Sequence, residues 1–259
     1  MQALRSAIVS AHVLAGVATT MFVFPLVKPP TRRALTRRWC TRLLRLLKVE
    51  PRIHGALDSS EGNVLIVANH ISWLDIFVIN AFRPARFVAK ADLAGWPVVG
   101  IMVRGAGTIF IERTRRLDTQ RANRQVAEVL AAGEVVVVFP EGTTTDGTSM
   151  LKFHGSLLQP IIDADGHVLP GAIRYKDPRG RLSLAPEYVG DTTFAQSFWR
   201  VCGERRLIVE LHAMTLLRGN GVHRRELARA AETAIRTVLV PPGDATAPEI
   251  RAGPESGSP

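Results

Sequence analysis

An apolar run, Val64 to Ala68, leads directly into Asn69, His70, Ile71, Ser72, Trp73, Leu74 and Asp75, so a histidine and a carboxylate emerge together where the run ends. The ends of buried strands are where a scaffold delivers functional groups. A histidine whose second ring nitrogen donates to a carboxylate is held in one tautomer and becomes a better base, with a substrate hydroxyl as the nucleophile. On one continuous helix, positions five apart lie about 140° around the axis. His70 and Asp75 therefore meet only if strand turns into helix between them. The same two residue types also serve as plain hydrogen-bonded structure.

Three further segments carry groups of interest. Lys90 follows the short apolar run Phe87 to Ala89, and Gly107 to Arg113 reads GTIFIER with Arg115 and Arg116 close behind. Clustered arginines suit a phosphate through bidentate hydrogen bonds, although a solvated strand end looks the same. Phe139 to Gly147 reads FPEGTTTDG after the most apolar run in the chain, and backbone amides in such a turn suit an anion or an oxyanion. Leu169 to Ile173, LPGAI, opens a later strand with a proline, which by itself marks a strand edge. His12, His54, His154, His167, His212 and His223 stand outside these segments and read as structural or solvated.

In this order, the four segments resemble the PlsC-like lysophospholipid acyltransferase family over about Asn63 to Tyr175. NHISWLD matches the family's NH, four residues, then D. GTIFIER, FPEGT and LPGAI match its second, third and fourth motifs. The resemblance implies that His70 is the general base for an acceptor hydroxyl and Asp75 its orienter, with direct attack on an acyl thioester. No covalent acyl-enzyme, metal or cofactor is implied beyond acyl-CoA or acyl carrier protein as co-substrate. It further implies Lys90 and Arg113 as ligands of an acceptor phosphate, with Glu141, Gly142 and Thr143 shaping the acceptor and oxyanion side. Many phosphate-using members continue the third motif as FPEGTRS, whereas this chain has Thr144 in place of that arginine. One charge-assisted contact is worth roughly 1.5 to 3 kcal/mol, which makes Thr144 a specificity candidate. The FPEGTT form is similar to lyso-ornithine lipid acyltransferases. Arg113, Arg115, Arg116 or Lys152 are available to compensate, so lysophosphatidic acid and lyso-ornithine lipid both stand as acceptors.

The elements that must position these groups follow from periodicity. Val64 to Ala68, Phe87 to Ala89, Thr108 to Ile111, Val135 to Phe139, Val168 to Tyr175 and Leu207 to His212 read as strands. Leu117 to Ala132 reads as a helix closed by Gly133. Such alternation predicts an α/β domain, residues 51–240, with a mostly parallel central sheet flanked by helices. Residues 241–259, rich in Pro, Gly, Ala and Ser, read as a disordered tail.

Residues 1–50 read as a membrane-associated helical segment. Ala7 to Val27 has no formal charge over 21 residues, about the length that crosses roughly 30 Å of hydrocarbon. Its histidine, serine, threonines and proline also fit a re-entrant or interfacial helix, and its small residues fit a cleaved signal peptide. From Thr31 to Val49, Leu35, Trp39, Leu43, Leu46 and Leu47 recur at helical spacing among six arginines. That pattern fits a helix on a bilayer, with Trp39 at the interface, and equally a helix packed on the domain. Lys28 to Val49 holds eight of the 33 basic residues and no acidic one, leaving 25 basic against 23 acidic elsewhere. A charge block beside an apolar segment suits an anionic membrane surface rather than nucleic acid. The reading places the protein at the cell inner membrane with its catalytic domain facing the cytoplasm, membrane lipids as partners and no nucleic acid. Cys40 and Cys202 lack a metal-binding or disulfide pattern. Two other functions compete: a serine hydrolase using Ser72, which has no GxSxG elbow to support it, and a non-catalytic membrane or lipid-binding protein.

Overall fold

The computed structural model describes residues 1–56, 63–112 and 116–239. The N-terminal apolar segment is helix α1 (Gln2–Ala18), carried on by a wide turn (Thr19–Val23) and a tight one (Phe24–Leu26). Helix α2 (Pro29–Leu46) starts on a proline, whose fixed φ suits the first helical position. It stops three residues short of the expected Val49, because Lys48 turns left-handed (φ 60°) and sends the chain into edge strand β1 (Val49–His54). Polar and charged residues at an edge hide β1 from a periodicity reading.

The remaining elements are β2 (Val64–Ala68), α3 (Leu74–Phe82), β3 (Arg86–Lys90), α4 (Val99–Gly105), β4 (Ile109–Ile111), α5 (Arg116–Ala131) and β5 (Val136–Val138). They are followed by α6 (Gln159–Asp163), β6 (His167–Lys176), α7 (Phe194–Gly203), β7 (Leu207–Ala213), β8 (Leu217–Arg218) and α8 (Arg224–Leu239). Each strand expected from the sequence is present within one residue at either end. Gly133 turns left-handed just past α5, where no side chain obstructs it.

The sheet runs β1-β7-β6-β2-β5-β3-β4, with β8 alongside β6. All pairings along that path are parallel except β6 with β7. Strand β2 sits between β5 and β6 and is buried on both faces. Ile66 and Ala68 enter one core with α2 and α3, and Leu65 and Val67 enter the other with α5 and α8. This is the layered arrangement expected of an α/β domain, and it accounts for the uninterrupted apolar run. From β2 the chain crosses to β3 on one side, and from β5 it crosses back to β6 on the other. The carboxyl end of β2 therefore faces the crevice left by a topological switch.

Helices α1 and α2 form a hairpin against one core. His12 and Trp39 stack at 4.9 Å, and each ring bonds the other residue's carbonyl at 3.1 Å. Gly16 admits the indole; a Cβ there would lie 2.5 Å from Trp39 Nε1. Trp39 thus packs inside the hairpin and touches Phe77. The α2 stripe of Cys40, Leu43 and Leu44 is buried in the domain, as the packing alternative holds.

At the end of β2 the backbone leaves the sheet and a side chain takes over its ladder. Asn69 Oδ1 accepts from Ile173 N at 2.7 Å, and Nδ2 donates to Ile173 O at 3.0 Å. The amide so placed reproduces one further backbone step against β6. Asn69→Leu leaves both Ile173 groups buried without partners, at about 1 to 3 kcal/mol each. Denaturant unfolding should show a loss of roughly 2 to 6 kcal/mol; unaltered stability would mean that the amide is dispensable.

Candidate active site

Beyond Asn69 the chain runs irregularly to Trp73 and then enters α3, supplying the strand-to-helix turn that the five-residue spacing requires. His70 Nδ1 and Asp75 Oδ2 meet at 2.8 Å. The same Oδ2 accepts Ile71 N at 2.8 Å and Ser72 N at 3.0 Å, and Tyr175 donates its phenol to Oδ1 at 2.6 Å. Asp75 is fully buried, whereas 19% of the His70 side chain stays exposed. With Nδ1 taken, Nε2 is the nitrogen left to meet a substrate, and it has no hydrogen-bond partner among the described residues.

The loop after β5 grips His70 on three sides. Its ring lies flat on Phe139, centroids 4.0 Å apart at 9°. Its N–H donates to Glu141 Oε1 at 2.8 Å, and its carbonyl accepts Thr145 N at 2.8 Å. Glu141 Oε2 accepts Leu151 N at 2.7 Å, so both carboxyl oxygens are engaged by backbone amides. Gly142, at φ 78°, makes the turn that lets this loop fold back.

The expected substrate-binding residues are more scattered. Glu141 is buried beneath His70, Gly142 is half-buried and Thr143 is exposed. Thr144 donates its hydroxyl to the carbonyl of Tyr188, in a segment that also bonds Ile71 O through Tyr188 N. Lys90 is exposed at the end of β3, two strands from β2, and has no ion pair among the described residues. Arg113 and Arg115 lie outside the described residues, as does the segment read as a disordered tail. Ser72 is fully buried, with its hydroxyl accepting Leu74 N at 3.2 Å, which leaves it no role as an exposed nucleophile.

These distances occur in a chain whose relatives are recognisable. The family model described as acyltransferase matches residues 50–174. A lyso-ornithine lipid O-acyltransferase of Pseudomonas aeruginosa is 37% identical over 210 residues, covering 81% of this chain and 80% of that protein. The chain belongs to the PlsC-like lysophospholipid acyltransferase family. A 1-acyl-sn-glycerol-3-phosphate acyltransferase of Neisseria gonorrhoeae is also 37% identical, over 71% of this chain and 72% of that protein. The crystal structure of the 1-acyl-sn-glycerophosphate acyltransferase PlsC from Thermotoga maritima shares the fold, with a TM-score of 0.63 at 21% identity. It covers 92% of this chain and 96% of that one.

In this acyltransferase, Tyr175 is the residue that sequence reasoning missed. It lies 100 positions from Asp75, and no local signal links the two. Asn69 and Phe139 stood inside the motifs without a role. Burial drives the Tyr175 phenol well above its ordinary range, with Asp75's charge adding to it, so the phenol remains a neutral donor.

Burial also pushes the Glu141 carboxyl up to about 7, against the pull of its two amide donors. The folded chain therefore holds the Glu141 proton more tightly than the unfolded chain does. Its contribution to stability is full below pH 4.5 and is lost as pH rises through about 7. The gap between 4.5 and about 7 corresponds to a loss of up to about 3 kcal/mol. Thermal unfolding at several pH values should show a steeper decline across this window in the unsubstituted protein than in Glu141→Gln. Parallel declines would remove Glu141 as the titrating group.

Proposed function

We propose that this acyltransferase moves a fatty-acyl group from an acyl thioester to the hydroxyl of a lysolipid, with His70 as general base. The observation that carries the reading is the 2.8 Å bond from His70 Nδ1 to buried Asp75, which leaves Nε2 of a partly exposed ring for the acceptor. Nε2 takes the acceptor's hydroxyl proton as its oxygen attacks the thioester carbonyl, and Asp75 holds the imidazolium that forms. The tetrahedral intermediate collapses by expelling the thiolate, which takes the proton back from His70. Atoms and charges balance without a covalent acyl-enzyme.

For the acceptor, the engagement of Thr144 with Tyr188 favours lyso-ornithine lipid, because position 144 supplies no cation for a phosphate. Lysophosphatidic acid is the second reading, and exposed Lys90 favours it. Acyl-CoA and acyl carrier protein are the two donors to compare. The sharp test supplies both thioesters with both lysolipids to the purified protein in membranes. His70→Ala should reduce transfer by about 10²- to 10⁴-fold and leave vesicle binding unchanged. Thr144→Arg should move preference toward the phosphate-bearing acceptor. Vesicle binding without thioester consumption under any pairing would instead favour a non-catalytic lipid-binding protein.

The reading also places the protein on the cytoplasmic face of the inner membrane. One helical stretch, Gln2–Leu26, is long and apolar enough to cross a bilayer by length and composition. Leu4, Ile8, Leu14, Met21, Phe22 and Leu26 are exposed along it. We infer that α1, which packs on α2 through His12 and Gly16, lies along the surface with this stripe dipped into one leaflet. The arginines of α2 then meet anionic headgroups. Phe22→Glu combined with Leu26→Glu should weaken co-sedimentation with anionic vesicles; undiminished binding would rule this surface out.

A further inference from the structure

We propose that Tyr175 is a positioning residue of the His70–Asp75 pair, whose phenol sets the pH at which His70 becomes available as a base. This deepens the acyl-transfer reading and rests on it.

The two oxygens of Asp75 do different work. Oδ2 accepts from His70 Nδ1 and from the amides of Ile71 and Ser72, while Oδ1 faces the Tyr175 hydroxyl at 2.6 Å. Both Asp75 and Tyr175 are fully buried, so no solvent substitutes for that donor. Tyr175 is held by its place in β6, paired with Val209 of β7, and Asn69 locks the same strand to β2 two residues earlier.

The titratable groups at and around the pair come from four elements. Asp75 stands at the start of α3, and Tyr175 stands on β6. Glu141, on the loop after β5, bonds His70 N, and Arg236 of α8 acts on Glu141 by its charge. Phe139 covers the ring face without charge.

When His70 is neutral, the pair carries one negative charge, centred on Asp75; when His70 is protonated, the pair is neutral overall. A donor aimed at Oδ1 stabilises the first state more than the second. It thereby favours the neutral imidazole over the imidazolium and draws part of the carboxylate's charge away from the ring. Losing the donor reverses both effects, and strengthening it extends them. A tyrosine that only fills space has no such graded effect.

The test uses the full-length protein in detergent micelles and follows the His70 imidazole by NMR, assigned against His70→Gln, alongside the pH profile of kcat/KM. Tyr175→Phe should move the imidazole titration and the acid limb upward by about one pH unit. Replacing Tyr175 with mono- and difluorotyrosine, whose more acidic hydroxyls donate more strongly, should move both progressively downward. One unchanged midpoint across the series, or shifts in the same direction for Phe and fluorotyrosine, would overturn the proposal. If Tyr175→Phe does not fold, the fluorinated pair retains the hydroxyl and decides the question alone. If the unsubstituted protein transfers no acyl group, the proposed function fails, while the imidazole titration still reports on Tyr175.

Discussion

A carboxylate removed from water must find donors for its lone pairs or give up its charge, and Asp75, fully buried, is placed under that constraint. Its donors come from three places: the His70 ring, two amides in the turn between β2 and α3, and a phenol on β6. They converge only if β2 lies beside β6 and α3 begins immediately after the turn. Asn69 enforces the first condition by extending the β2 ladder onto Ile173 with its side chain. Much of the local architecture around the end of β2 is thus the means of keeping one buried charge satisfied.

The loop after β5 completes the arrangement from the other flank. Phe139, Glu141 and Thr145 fix the His70 ring, N–H and carbonyl in turn. A motif expected to shape the acceptor side thus also braces the histidine. Both oxygens of Glu141 are occupied by backbone amides, so its geometry is that of a support beneath the histidine. Such support suits a site where small displacements of a base are costly in rate.

The N-terminal hairpin combines two requirements usually met by separate elements. One side of α2 belongs to the core through Cys40, Leu43 and Leu44, and α1 clings to it through the His12–Trp39 stack and the close approach at Gly16. The outer side of α1 leaves large apolar residues uncovered. A soluble monomer rarely exposes so continuous an apolar surface, which is why a lipid surface is the partner proposed for it.

Taken by itself, the sequence determined the family, the α/β class and six of the eight strands within a residue at each end, and it set His70 and Asp75 where a strand-to-helix turn would bring them together. These are local properties: apolar runs bounded by turn residues, and motifs a few residues long. It also marked the apolar and basic character of the N-terminus without deciding how the two helices lie. Tertiary structure alone decided that Tyr175 meets Asp75 across 100 positions, that Glu141 points inward, that Thr144 bonds Tyr188 and that Trp39 packs between helices. Each of these depends on which strands become neighbours and which way the chain crosses between them. A crossover brings distant residues within hydrogen-bond range without leaving a periodic trace in either segment.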